Sequence, residues 1–364
     1  MWLVDQPPSE RPQWHGVPLS RRSVLLGIGA VGAFLAVDLG AVAYANDWIG
    51  TRLTRQAFID RFQSISGVHP GFRRNHAKGV AVTGHFDSNG DGAELSGAAV
   101  FAEGTSPVVG RFSLSGGNPV VADTSAATRG LGLAIGFPGL HQWRTAMVNL
   151  PVFPVNSPEG FLAQLLASKP DPSTGKPDPA AMANFLAAHP ETAAATKVIK
   201  QHPPTPGFAD STFASLNTFY FVSGSGVRTP VRWSFVPRQA ALPTAKQGDD
   251  ILFDALVKQL KAGPLRWDLH LVVGNPDDPV DPTLPWPTAR RVINAGELVL
   301  DTVETEAPGN ARDVNFDPLV LPEGIEPSDD PILSARSAVY AASYRARTGE
   351  PKSPSAIQVD EVAP

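Results

Sequence analysis

From Gly79 onward, short runs of β-branched and aromatic residues alternate with turns rich in Gly, Asn and Asp, and this rhythm limits the core to short paired strands. Gly79–Phe86, Ala98–Phe101 and Val108–Ser113 are three such runs, and Thr218–Val222, Val227–Val236, Trp267–Val273 and Glu297–Thr302 are four more. The chain has 33 Gly and 36 Pro in 364 residues, roughly a fifth of the total and above the usual share of about 12%. Helices are expected at Thr51–Ser66, in the Ala-rich stretch that ends near Gln201, at Asp250–Lys261 and at Pro331–Arg347. The Ala-rich stretch follows the polar excursion Pro170–Pro179 and reads as a helical crossover outside the strands. Gly274 to Pro327 is Pro-rich and reads as a segment wrapping over the surface. Residues 349–364 read as a polar C-terminal tail, which leaves residues 51–348 as one domain.

The first fifty residues carry a different signal. Ser20-Arg21-Arg22-Ser23 precedes an apolar run from Val24 to Val37, and Ala43-Tyr44-Ala45 offers a small-residue cleavage site. A membrane span needs about 18–20 apolar residues and an export signal about 7–15. Residues 1–50 therefore read as a twin-arginine signal or anchor, with the Tat export machinery as partner and membrane attachment through residues 20–45 as the other outcome. The protein would then be exported, periplasmic or membrane-anchored. Gly27-Ile28-Gly29-Ala30-Val31-Gly32 satisfies the dinucleotide-binding spacing, but it lacks the preceding strand that such a site requires.

Charge and composition exclude several classes. Lys and Arg total 30 against 35 Asp and Glu, a net charge of −5, so no basic excess exists for nucleic acid. The chain has 0 Cys, which removes disulfides, thiolate metal sites and thiol catalysis while leaving haem open. Asp87–Gly92 begins like a calcium loop, yet Ala98 stands where the bidentate Glu is needed, so a hairpin turn is expected.

Two separated clusters have chemical character. Arg73-Arg74-Asn75-His76-Ala77-Lys78-Gly79 places a histidine just before a strand. On the last helix, Arg336, Tyr340, Tyr344 and Arg347 stand at offsets of about 4, 8 and 11 residues, which puts them on one face. A tyrosine binds ferric iron as the phenolate, although its free pKa is about 10. The metal charge and an arginine one turn away both favour that ionisation.

These residues resemble the haem catalase family, especially its small catalase-related peroxidase branch. Arg73-x-x-His76-Ala77-Lys78-Gly79 is similar to the distal histidine motif. Val109-Gly110-Arg111-Phe112-Ser113, Ala122-Asp123-Thr124, Arg129-Gly130 and Pro151-Val152-Phe153 follow in the family's order. Asn315-Phe316-Asp317-Pro318, Gly324–Ser328 and Ile332-Leu333-x-x-Arg336-x-x-x-Tyr340 resemble the proximal region. The resemblance implies an α+β fold, a catalase-type antiparallel eight-stranded β-barrel with flanking helices and a wrapping segment. It implies haem b with ferric iron, Tyr340 as metal ligand and Arg336 bonded to the phenolate oxygen. His76 would move the peroxide proton as the O–O bond breaks to give an oxoferryl haem, with Ser113 orienting its ring. Arg73, Arg111 and Arg347 would pair with the propionates, and Phe153 would keep the distal pocket dry.

The sequence departs from the family at Val148, which occupies the usual distal asparagine position, and Asn149 is the candidate substitute. Ala341–Arg347 alters the residues beyond Tyr340, and the chain ends where larger catalases continue. The implied activity is a peroxidase using hydrogen peroxide or organic hydroperoxides with an unidentified electron donor. A hydroperoxide isomerase of the same fold and a non-catalytic exported haem-binding protein are the alternatives.

Overall fold

The computed structural model describes residues 54–363, apart from 126–127, 140, 172 and 243–247. The expected signal segment, residues 1–50, therefore lies outside the described residues. In chain order the elements are α1 (Arg55–Ser66), β1 (Gly79–Ser88), β2 (Gly104–Leu114), β3 (Arg129–Ile135) and β4 (Trp143–Val148). Helices α2 (Pro158–Ala167), α3 (Pro179–Ala188) and α4 (Pro190–Lys200) follow, then β5 (Phe213–Ala214), β6 (Phe219–Val222) and β7 (Arg228–Pro237). The chain continues through α5 (Ile251–Ala262), β8 (Leu265–Val273), β9 (Val292–Glu304), β10 (Ile325–Pro327) and α6 (Pro331–Thr348).

The strands close into an antiparallel barrel. Pairing runs from β7 through β5, β4, β3, β2, β1, β9 and β8, and β8 pairs back to β7. Strands β5 and β6 both pair with β7, as two pieces of one broken strand. Between them Leu216 has a φ of 62°, a left-handed conformation that ends regular pairing. Counting that broken strand once gives the eight strands expected. Closure leaves no free edge in the ring.

Alternation along each strand explains the core. On β2, Phe112 and Leu114 point into the barrel, while Arg111 and Ser113 point outward. The interior is aromatic: Phe112 lies 5.7 Å from Phe213 and 5.9 Å from Trp267, and Trp143 lies 5.1 Å from Trp233. Such rings contribute most of the buried apolar area of a barrel this size.

Some expectations change. Ala98–Phe101, read as a strand, is a 3-10 turn at Ala99–Phe101 whose Val100 and Phe101 plug the core. Strands β1 and β2 pair as expected, but the connection after Asp87–Gly92 is a long excursion with a second 3-10 turn, not a tight hairpin. Helix α2 was not anticipated, although Ser157 caps Gly160 N and Pro158 occupies its first turn.

The polar tail also folds. Ile357 and Val359 are buried in the main core, and Lys261 Nζ donates to the carbonyls of Val359 (2.9 Å) and Val362 (2.6 Å). Two apolar side chains at alternate positions thus tie the segment to the core. Glu350 of the same segment pairs with Arg74 and accepts from Gly71 N at 2.8 Å.

Candidate functional site

A cavity of about 820 Å³ lies between the outer face of the barrel and helices α1, α2 and α6. That volume falls in the range of small-molecule and cofactor sites, about 300–1,000 Å³. Cross-strand register builds its floor. Gly79, Ser113, Gly130 and Val148 form one row across β1–β4, and Ala81, Arg111, Gly132 and Ala146 form the next. Small side chains leave space above the sheet for a flat group. A β-carbon at Gly132 would meet the Phe316 ring at 2.8 Å, so that floor position admits only glycine without displacement.

His76 stands at the edge of this floor with a φ of 57°, in the left-handed region that costs a non-glycine residue about 1–2 kcal/mol. Surrounding bonds hold it there. Asn75 Oδ1 accepts from His76 N (3.0 Å) and Gly116 N (2.8 Å), and Arg111 Nη1 donates to His76 O at 2.8 Å. The ring nitrogen Nδ1 hydrogen-bonds with Ser113 Oγ at 3.1 Å. Burial first, then Arg111, Arg336 and Arg73, push the His76 imidazole down to about 3. The ring is therefore neutral at physiological pH and can accept a proton.

Arg73, Arg111, Arg336 and Arg347 line the cavity, and no carboxylate does among the described residues. Behind the wall lies one buried acid, Glu306. Its Oε1 accepts from Arg111 Nε (2.7 Å) and Arg73 Nη1 (3.3 Å), and its Oε2 accepts from Arg111 Nη2 (2.8 Å). These arginines outweigh desolvation and hold the Glu306 carboxyl down at about 2. Burial, with Arg111 beside it, pushes the Arg347 guanidinium down to about 10, still fully charged at neutral pH.

Helix α6 brings Arg336, Tyr340, Tyr344 and Arg347 to the same cavity, as their spacing predicts. Asp330 caps this helix, its Oδ1 accepting from Ile332 N at 2.8 Å. Tyr340 packs against Ala81, Ala134, Ala311 and Phe316, next to the glycine floor. Arg336 donates to Asn217 Oδ1 and, at 2.6 Å, to Ala146 O. Its terminal nitrogens thus serve a loop and a strand, and no hydrogen bond runs from it to the Tyr340 oxygen. Asn217 is fixed in turn by donating to Asp330 Oδ2 at 2.6 Å.

Phe153 lines the cavity and packs 5.8 Å from Phe161, whose neighbours Phe58 and Phe62 complete an aromatic wall. Asn149 does not line it. Strand alternation turns Val148 toward the cavity, while the Asn149 carboxamide oxygen accepts from Arg129 N at 2.7 Å. The candidate substitute for the distal amide is thus a strand-end clamp.

Sequence reasoning missed Glu306, Gly132, Asn217 and Asp330. A lone acid in Thr305-Glu306-Ala307 has no local pattern, and its partner Arg111 is 195 positions away. Gly132, by contrast, had a legible signal, since Gly130 and Gly132 alternate in what is otherwise an apolar strand.

Comparisons with known proteins give the family and the fold. A family model described as Catalase matches residues 52–354. The chain is 35% identical over 331 residues to a catalase-related peroxidase of Synechococcus elongatus, covering 89% of this chain and 96% of that one. It is 31% identical over 304 residues to a catalase-related peroxidase of Mycolicibacterium paratuberculosis, covering 82% and 96%. A solved bacterial catalase has a TM-score of 0.67 at 21% identity, over 77% of this chain and 58% of that one. A fungal catalase also reaches 0.67, at 19% identity, over 98% and 70%.

Proposed function

The chain belongs to the catalase family and is an oxidoreductase acting on peroxide, and from that premise we propose a haem b-dependent peroxidase working in the cavity that His76 and Tyr340 share. The residues present fit that group. The cavity has the volume for a large planar ligand, a floor in which Gly130, Gly132 and Ala146 lie beside Ser113 and Val148, and four arginines without a carboxylate in its lining. Two propionates would supply the missing negative charge. Tyr340 offers the oxygen ligand of tyrosine-bound haem, a pairing for which catalase is the standard example. The chemistry a bound ferric haem supplies is two-electron exchange with the peroxide O–O bond.

The rest falls to the chain's own residues. In the tautomer whose Nδ1–H donates to Ser113 Oγ, His76 Nε2 is the unprotonated nitrogen and takes the peroxide proton. It then returns that proton to the leaving oxygen, so one residue acts as base and acid. Phe153 and Phe161 exclude water from the cavity, which strengthens each polar contact inside it. Val148 at the cavity wall offers no amide to orient a second peroxide. That supports oxidation of an added donor over disproportionation, because orientation carries much of the rate of a bimolecular step.

The observation that carries this reading is one cavity bordered by a neutral, Ser113-bonded His76 and by Tyr340. Haem titration followed by absorption tests it: a Soret band forms with the unsubstituted protein and is lost or shifted in Tyr340→Phe. His76→Ala retains haem and loses peroxide cleavage. Hydrogen peroxide disproportionation far exceeding donor oxidation would sink the peroxidase assignment. We also infer export through residues 20–45, from Arg21-Arg22 and the apolar run after them. Cell fractionation of an Arg21→Lys, Arg22→Lys variant checks it, and unchanged export counts against it.

A further inference from the structure

We propose that the mouth of the cavity docks on an anionic lipid bilayer and takes a hydroperoxide-bearing acyl chain from it. The docking stands on the surface alone, and the substrate rests on the peroxidase reading above. Of the residues lining the cavity, Gly116, Ser125 and Pro170 are the exposed ones. The cavity therefore opens between the β2–β3 loop and the stretch just after α2.

Apolar side chains surround this opening from three separate elements. Val68 follows α1, Val120 lies in the β2–β3 loop and Leu166 lies on α2, and they are 64%, 71% and 45% exposed. Nearby Ser66, Val121 and Leu165 line the cavity. Ser66 Oγ accepts from Gly117 N at 3.2 Å, which joins the first two elements at the rim. Helices α1 and α2 meet where Phe161 lies 6.1 Å from Phe58 and 6.2 Å from Phe62. Single exposed apolar residues are ordinary on any protein, whereas a group of them around an opening marks a place of contact.

Charge and shape both favour lipid as the occupant. Residues 64–70, 115–122 and 161–170 contain no Asp or Glu, in a chain that has 35, and Lys169 stands exposed beside Pro170. An anionic headgroup repels a carboxylate at such a rim and attracts a lysine. The acids that border these stretches are engaged elsewhere, Asp123 with Lys78 and Asp171 with Ser173 N at 2.7 Å. Inside the opening, Phe58, Phe62, Ile65, Phe161 and Leu165 continue the apolar surface into the cavity that His76 borders. A folded partner protein would stop at the rim. An acyl chain is thin and apolar enough to use both surfaces, with the three rim side chains set into the headgroup boundary.

The apolar run Val24–Val37 is able to attach the chain by itself, so the decisive measurement is which face meets the lipid. With 0 Cys in the full-length chain, single cysteines carrying an environment-sensitive fluorophore report one position at a time. Label at Val68→Cys and at Val120→Cys should shift its emission to the blue on addition of equimolar phosphatidylcholine and phosphatidylglycerol vesicles. Label at Val227→Cys should not, since that exposed residue lies on the β6–β7 turn, at the end of β7 away from its pairing with β5. No shift at the rim, or an equal shift at Val227, overturns the docking. A rim shift that appears without vesicles as protein concentration rises also overturns it and gives the rim to a second copy of the chain.

The substrate is tested with phosphatidylcholine hydroperoxide held in the same vesicles. Its O–O bond breaks, and two electrons and two protons from an added phenolic donor yield the alcohol and water. Combining Val68→Asp, Val120→Asp and Leu166→Asp should slow this reaction about tenfold and leave consumption of hydrogen peroxide with the same donor unchanged. Equal effects on the two peroxides, or none on either, overturn the substrate assignment. Failure of the unsubstituted protein to take up haem would instead sink the peroxidase reading. The fluorescence shift is read in the haem-free protein as well, where its absence still refutes the docking.

Discussion

Gly130 and His76 are in such close contact that a β-carbon on Gly130 would lie 3.0 Å from the imidazole Nδ1 and 2.8 Å from Ser113 Oγ. The glycine thus sets how closely the His76 ring and the Ser113 hydroxyl approach each other over the sheet, although it carries no functional group. Gly130→Ala should push the ring away from Ser113 and cut the peroxide cleavage rate by about tenfold to a hundredfold. Overpacking of this kind costs about 1–3 kcal/mol, so thermal melting should fall only modestly. An unaltered rate in a folded Gly130→Ala protein would contradict the contact.

The His76 value of about 3 fixes a pH dependence. The imidazole stays unprotonated in the native protein from about pH 8 to about pH 5, where a free histidine near 6.5 would titrate. The peroxide cleavage rate should therefore show no inflection near pH 6.5 when measured by stopped flow. Stability behaves otherwise. Below about 6.5 the unfolded chain binds a proton that native His76 refuses until about pH 3, so the contribution is intact above 6.5 and declines as pH falls through that window. Glu306, held at about 2, adds a second decline from its usual range near 4.5 downward. Chemical denaturation across pH 7 to 4 should show the loss, and His76→Gln should reduce it.

The C-terminal segment is structural. Ile357 is 2% exposed and Val359 5% exposed within the main core. Ile357→Ala should destabilise the protein by about 2–5 kcal/mol, the cost of removing buried methylenes. Removal of residues 349–364 should be worse, since it also frees Arg74 and Gly71 beside the His76 loop. Melting temperature reads the first change, and haem uptake after truncation reads the second.

Lys78 and Asp123 form a buried pair at 2.7 Å, with side chains 1% and 0% exposed. Asp123 Oδ2 also accepts from Leu252 N at 2.8 Å at the start of α5, and Lys78 Nζ donates to Val121 O at 2.7 Å. Lys78→Met leaves the carboxylate buried with its cation gone, which costs about 3–5 kcal/mol. Urea unfolding should show that loss, and the Lys78→Met, Asp123→Asn double variant should lose less than the two single losses combined. Strict additivity would show that the pair is not coupled.

Local sequence made some of this legible because the relevant physics is local. Helical periodicity places Arg336, Tyr340, Tyr344 and Arg347 on one face of α6, and all four reach the cavity. Period-two alternation on β2 sends Arg111 and Ser113 outward and Phe112 inward. The His76 segment and the family to which the chain belongs were readable for the same reason: a short motif keeps its residues together in any fold.

Tertiary structure decided what depends on closure and register. Asn149 and Val148 are neighbours in sequence, yet strand pairing turns Val148 to the cavity and Asn149 to Arg129. Arg336 was expected to bond to Tyr340, but the bonds it makes go to Asn217, 119 positions away, and Ala146, 190 positions away. Glu306 meets Arg111 across 195 positions, because β9 returns beside β1 and delivers Glu306, two positions past its end, to the outer face of β2. Sequence by itself determined which side chains could do chemistry here, through spacing along one element. Only the closed barrel decided which of them share a buried charge, because desolvation and partner geometry exist only once distant strands are in register.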